Sequence, residues 1–145
     1  MVIQVIAATI GSIGFAIFLK MRGKQIILSG VGAAITWIVY WICSQHIEGL
    51  FIPYFLAAIF VAIYAEIMAR INKAPATIFL TAAAVPLIPG GRLYYTMAGL
   101  VNKDEILFSE NGTAALTIAL AISLAFVVVS VLNRYSKVIF FKKKQ

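Results

Sequence analysis

"AVPLIPGGRLYYTM", residues 84–97, decides how this chain is read, because two prolines, two adjacent glycines and an arginine interrupt an otherwise apolar stretch. Pro89 has no backbone N–H to donate and disfavours helical geometry at Ile88, whereas Gly90 and Gly91 permit backbone angles closed to other residues. The stretch predicts an interrupted helix. In a bilayer, nonhelical backbone is tolerated only where it is buried in protein or lines a watery cavity, since each amide left facing lipid costs several kcal/mol.

The surrounding composition supplies the bilayer. Of 145 residues, 63% are hydrophobic and 12% charged, more apolar surface than a soluble domain of this length could hide. The expected fold is an all-α membrane protein, one transmembrane domain of five helices. Apolar runs place the spans at about residues 2–19, 26–44, 51–68, 75–101 and 114–132, the fourth discontinuous at Pro89-Gly90-Gly91. The opening "MVIQVIAATI" lacks the basic segment of a signal peptide, so the first helix is expected to stay in the mature protein. Cys43 has no second thiol, which excludes a disulfide framework, and no metal ligand set or cofactor motif is visible. The net charge of +7 is scattered between apolar segments and forms no basic face for nucleic acid.

That scatter has a topological reading. With the amino terminus outside and five crossings, Lys20, Arg22, Lys24, Arg70, Lys73, Arg134, Lys137, Lys142, Lys143 and Lys144 all fall inside, and only Arg92 and Lys103 outside. Short loops give the positive-inside rule its full force, so the carboxy terminus is expected in the cytoplasm. Were residues 75–101 a re-entrant loop, the lysine-rich tail would end outside. Residues 75–88 reach only roughly 21 Å as helix against a hydrocarbon core of about 30 Å, so residues 93–101 must complete the crossing as a second half-helix.

A half-helix starting near Gly91 would point free N–H groups and a positive dipole end into the cavity, which suits a carboxylate. The candidate substrate-binding residues are Pro89, Gly90, Gly91, Arg92, Tyr94, Tyr95 and Thr96. Tyr94 and Tyr95 also fit an interfacial aromatic belt, and Arg92 also fits a side chain snorkelling to outer headgroups. Glu66, the one acid inside an apolar span, stands four residues before Arg70 on one helix face. The pair reads either as an interfacial ion pair or as a proton-coupling group. His46, alone beside Glu48, reads as an exposed loop residue, and Asn111-Gly112-Thr113 matches the glycosylation pattern on three residues only. Small residues four apart, such as Gly30 and Ala34, Ala58 and Ala62, or Ala65 and Ala69, would let helices, or copies of the chain in a homo-oligomer, approach closely. No span carries the paired carboxylates, serine with base or histidine cluster of a membrane enzyme, so no enzymatic activity is expected.

"AEIMARINKAPATIF", residues 65–79, followed by "PLIPGGRLYYTM", residues 86–97, resembles the short membrane component of the threonine/serine exporter family. The likeness extends over nearly the whole chain in length and span layout, and its specific part is this block. It implies a subunit that works with a longer membrane subunit of the same family in the bacterial inner membrane. It further implies proton-driven export of threonine and serine, with dicarboxylates such as succinate as the alternative cargo. The matching positions here are Glu66, Arg70, Pro75, Pro86, Pro89, Gly90 and Tyr94. A reading from another class stands beside it: a non-transporting membrane scaffold whose kink docks a partner.

Overall fold

A computed structural model describes residues 2–142, with side chains described as far as Tyr135; Lys143 and Lys144, and the side chains of Lys137 and Lys142, lie outside the described residues. All regular structure among them is helical: α1 (Val2–Phe18), α2 (Lys24–His46), α3 (Phe51–Asn72), α4 (Ala76–Ala84), a 3-10 turn (Val85–Leu87), α5 (Gly90–Asn102) and α6 (Glu105–Lys142). Three of these, α2, α3 and α6, are long and apolar enough to cross a membrane, and α4 with its 3-10 turn joins α5 as a pair that passes together but bends by 59°. The first helix is apolar but has 17 residues. That is roughly 25 Å, short of the hydrocarbon thickness. Large apolar side chains such as Ile3, Ile27, Val101 and Leu116 stand exposed all over the molecule, as they do in a membrane protein.

Local chemistry sets the helix ends. Gly23 and Gly49 take positive φ in the first two connections, and Pro53 sits in the first turn of α3, where its missing N–H has no helical acceptor to serve. Three helices end on lysines in the left-handed region, Lys20, Lys73 and Lys103, with φ of 57°, 50° and 56°. Each is followed by an amide that returns to the helix it leaves, as Asp104 N–H does to Gly99 O at 2.9 Å.

Small residues build the core. α3 runs against α2, α4 and α6, and its stripe Ala58, Ala62, Ala65 and Ala69 is buried, so backbones approach closely without large side chains between them. One cluster joins Ala16, Met21, Ala65, Ala69, Phe79 and Ala82; a second joins Ala57, Ala58, Val61, Ala83, Leu87 and Ala125. Gly32 is where α2 meets α3 and α4: a Cβ there would lie 2.4 Å from the Tyr64 ring. The Tyr64 hydroxyl donates to Leu28 O at 2.6 Å across the same seam. On α6 the inward stripe is Ala114, Ile118, Ala121, Ala125 and Val129, whereas Ala119 and Ser123, a small pair in the sequence, face out.

α2 and α3 outrun the spans read in the sequence by two to four residues, and two elements depart from that reading more widely. The last helix begins at Glu105 and has 38 residues, not the stretch 114–132, because residues 105–113 are recruited as a helical hairpin with α5. Asp104 caps it, its Oδ1 accepting from Leu107 N–H at 3.0 Å, and Gly99 lets the backbones meet: a Cβ there would stand 2.6 Å from Phe108 N. The interruption also starts earlier than Pro89-Gly90-Gly91. It opens at Val85, and Gly90 and Gly91 already belong to the first turn of α5. Pro86 is the cause, since it has no N–H to return to Ala82. The Ser12 hydroxyl of α1 donates to that Ala82 carbonyl at 2.8 Å and lies 3.1 Å from Ser29 O of α2, tying three helices at the approach to the break.

Candidate functional site

The break is shaped by two prolines in succession. Pro86 tightens the end of α4 into a 3-10 turn, and Pro89 holds Ile88 extended at φ −64°, ψ 123°. α5 then starts at Gly90 with no side-chain cap and no acid in its first turn. Gly90 N–H turns back to Ile88 O at 2.8 Å and Leu93 N–H reaches Pro89 O at 3.0 Å. Between them, the amides of Gly91 and Arg92 have no acceptor among the described residues. Gly90 and Gly91 are exposed, and a Cβ on either would meet nothing within 4 Å.

These amides border a cleft of about 340 Å³. Pro89, Gly90, Gly91, Arg92 and Tyr95 line it, joined by Trp37 of α2, Tyr54 of α3 and Asn111 of α6. No Asp or Glu lines it. Arg92 is fixed at its edge by donating from Nη1 to Asn111 Oδ1 at 3.0 Å. Asn111 is in turn held by Nδ2 donating to Leu107 O at 2.9 Å, and is 6% exposed. Trp37 and Tyr54 of that lining are joined behind it through Tyr40, whose ring lies 5.1 Å from that of Trp37 and 4.4 Å from that of Tyr54. The Trp37 indole nitrogen is buried without a partner among the described residues.

The arrangement offers donors and positive charge. An N-terminus with two unpaired amides carries the positive end of the helix dipole, and Arg92 adds a full positive charge in that same first turn. With no acid in the first turn or in the cleft lining, these charges repel one another, and an anion seated on the two amides would relieve the repulsion.

Not every residue singled out in the sequence converges here. Tyr94 and Thr96 do not line the cleft: Tyr94 packs its ring edge-on against Tyr95, and the Thr96 hydroxyl donates to Arg92 O at 2.7 Å within its own helix. Glu66 and Arg70 lie at the far end of α3, roughly 18 Å along the helix from Tyr54. There Arg70 is 4.0 Å from the Glu66 carboxylate and donates to Asn133 Oδ1 of α6. Sequence reasoning missed Trp37, Tyr54 and Asn111. Asn111 carried a signal, an amide beside a glycine where the last apolar run begins, but it resembled a glycosylation site more than the anchor of an arginine.

No curated protein and no solved structure matches the chain. A family model described as Threonine/Serine exporter, ThrE, matches residues 4–132, and includes the break, the cleft and the Glu66–Arg70 pair. The chain belongs to the threonine/serine exporter family.

Proposed function

We propose that this chain is the short, five-span subunit of a secondary exporter, and that its cargo binds by a carboxylate to the N-terminus of α5. The observation that carries this is the uncapped Gly90-Gly91-Arg92 turn, whose two unpaired amides and guanidinium face a cleft free of acids. The carboxylate takes the Gly91 and Arg92 amides, with Arg92 held in place by Asn111. An ammonium group faces the other half of the break, where the 3-10 turn ends in carbonyls and Tyr54 and Tyr95 offer hydroxyls. That division suits threonine or serine. One feature favours a second cargo: Arg92 is a second anion site in a cleft that no acid lines, which suits a dicarboxylate such as succinate.

Export of this kind runs from inside to outside. Helix connections gather Lys20, Arg22, Lys24, Arg70 and Lys73 at one end of the bundle, and Asn133 brings Arg134 to that end through Arg70. We assign that end to the cytoplasm of a bacterial-type inner membrane by the positive-inside rule, which puts the amino terminus outside. Glu66 then stands near the inner surface and the cleft in the outer part of the layer. Proton coupling through Glu66 and Arg70 acts across that separation, by opening the inner end of the α3–α6 seam. The longer family subunit completes the path.

The test is co-reconstitution with the longer subunit, following labelled threonine, serine and succinate. Saturable efflux of one of them, present only with both chains, supports the reading; partner binding without solute movement makes the chain a scaffold. Glu66→Gln separates the roles of the acid, because export that still follows the proton gradient in this variant makes Glu66 structural.

A further inference from the structure

The end of the bundle that carries Glu66 and Arg70 has a cavity of its own, about 290 Å³, set into the seam between α3 and α6. Ile59, Ile63 and Ile67 form one wall and Val128 and Leu132 the other, with Glu66, Arg70 and Asn133 at one end. The groove is thus apolar along its length, and at its mouth one base, Arg70, stands beside one acid, Glu66. From Ile59 to Arg70 it runs roughly 16 Å along α3, about half of the ~30 Å hydrocarbon core and so one leaflet deep. The Arg70 side chain is 59% exposed, and Asn133 accepts from it while its Nδ2 makes no bond among the described residues. Lys73, which ends α3, and Arg134, next to Asn133 within α6, are both exposed and leave this end of the groove with an excess of positive charge.

From this combination we infer that the α3–α6 groove holds an anionic phospholipid, its phosphate on Arg70 and Asn133 and an acyl chain along Ile67, Ile63 and Ile59. A guanidinium and an amide N–H are a donor pair for phosphate oxygens, and basic pockets between helices on the cytoplasmic side are where anionic headgroups bind. Glu66 sets the affinity, because its carboxylate, 4.0 Å from the Arg70 guanidinium, competes with the phosphate for the same donor. Placing the lipid in the inner leaflet rests on the orientation proposed above; the headgroup preference does not, since it is read without regard to side.

Native mass spectrometry of the full chain, released from micelles containing equal phosphatidylglycerol and phosphatidylcholine, tests this independently of export. The expected result is retention of one phosphatidylglycerol in about fivefold or greater preference, the size expected for one basic contact near a headgroup. Arg70→Gln should abolish the preference, Arg70→Lys should keep part of it, and Glu66→Gln should strengthen it. Ile63→Trp, which fills the groove and leaves every charge in place, should reduce retention of phosphatidylglycerol. Equal retention of both lipids, a preference unchanged in Arg70→Gln and Ile63→Trp, or a dimer that Ile63→Trp dissociates would overturn the inference, the last by assigning the groove to a second copy.

Discussion

Replacing Gly91 by alanine and by leucine separates what the residue does for the helix from what it does for a ligand. A Cβ at Gly91 meets nothing within 4 Å, so neither substitution creates a clash at that atom. Within α5 a glycine is about 0.5–1 kcal/mol less favourable than alanine, so Gly91→Ala should hold or slightly raise the thermal midpoint. Leucine has nearly the same helix propensity, and Gly91→Leu should fold equally well. The two differ at the cleft. A leucine side chain beside the Gly91 and Arg92 amides keeps a carboxylate from both, and a hydrogen bond to a charged group contributes about 1.5–3 kcal/mol. Losing one such bond costs about tenfold or more in affinity, and losing two about a hundredfold or more. Labelled threonine efflux from vesicles carrying both subunits, measured beside thermal unfolding of the same preparations, reads the two effects apart. Gly91→Ala should transport and Gly91→Leu should not, with similar midpoints. Normal efflux by Gly91→Leu would refute the assignment of these amides to the cargo.

Three further outcomes follow from the packing. Gly99→Ala should open the α5–α6 hairpin, because its Cβ would stand 2.6 Å from backbone that cannot rotate away; faster proteolysis between residues 99 and 108 is the readout. Gly32→Ala should destabilise by about 1–2 kcal/mol, since overpacking against Tyr64 outweighs the gain in helix propensity, and a lowered thermal midpoint checks it. Lys103→Gly should stabilise by up to about 1 kcal/mol by relieving a left-handed lysine at φ 56°, visible as a raised midpoint.

Helical class and the existence of a break were legible because both rest on local chemistry: long apolar runs admit few alternatives in lipid, and Pro86, Pro89, Gly90 and Gly91 act within a turn of themselves. Where the break opens was less so. Pro86 begins it because the carbonyl it leaves behind, that of Ala82, finds Ser12 seventy residues earlier in the chain, a partner no local pattern names. The beginning of α6 was hidden for a related reason: "DEILFSEN" reads as a polar connection until Gly99 admits Phe108 and Asn111 anchors Arg92. Glu66 and Arg70 were readable as a pair from their spacing of four, but their third member, Asn133, lies sixty-three residues from Arg70 and is joined to it only by the fold.

Cargo binding at the break requires that water and an anion reach the start of α5. Cys43 is the one cysteine of the chain, so Cys43→Ser gives a background in which Gly91→Cys places a single thiol at the break. Reaction of that thiol with a charged, membrane-impermeant reagent, in vesicles holding both subunits, measures access directly. The prediction is rapid labelling that threonine or succinate slows in proportion to occupancy. A thiol at 91 that stays unlabelled from both sides, or labels at a rate no carboxylate changes, would contradict it.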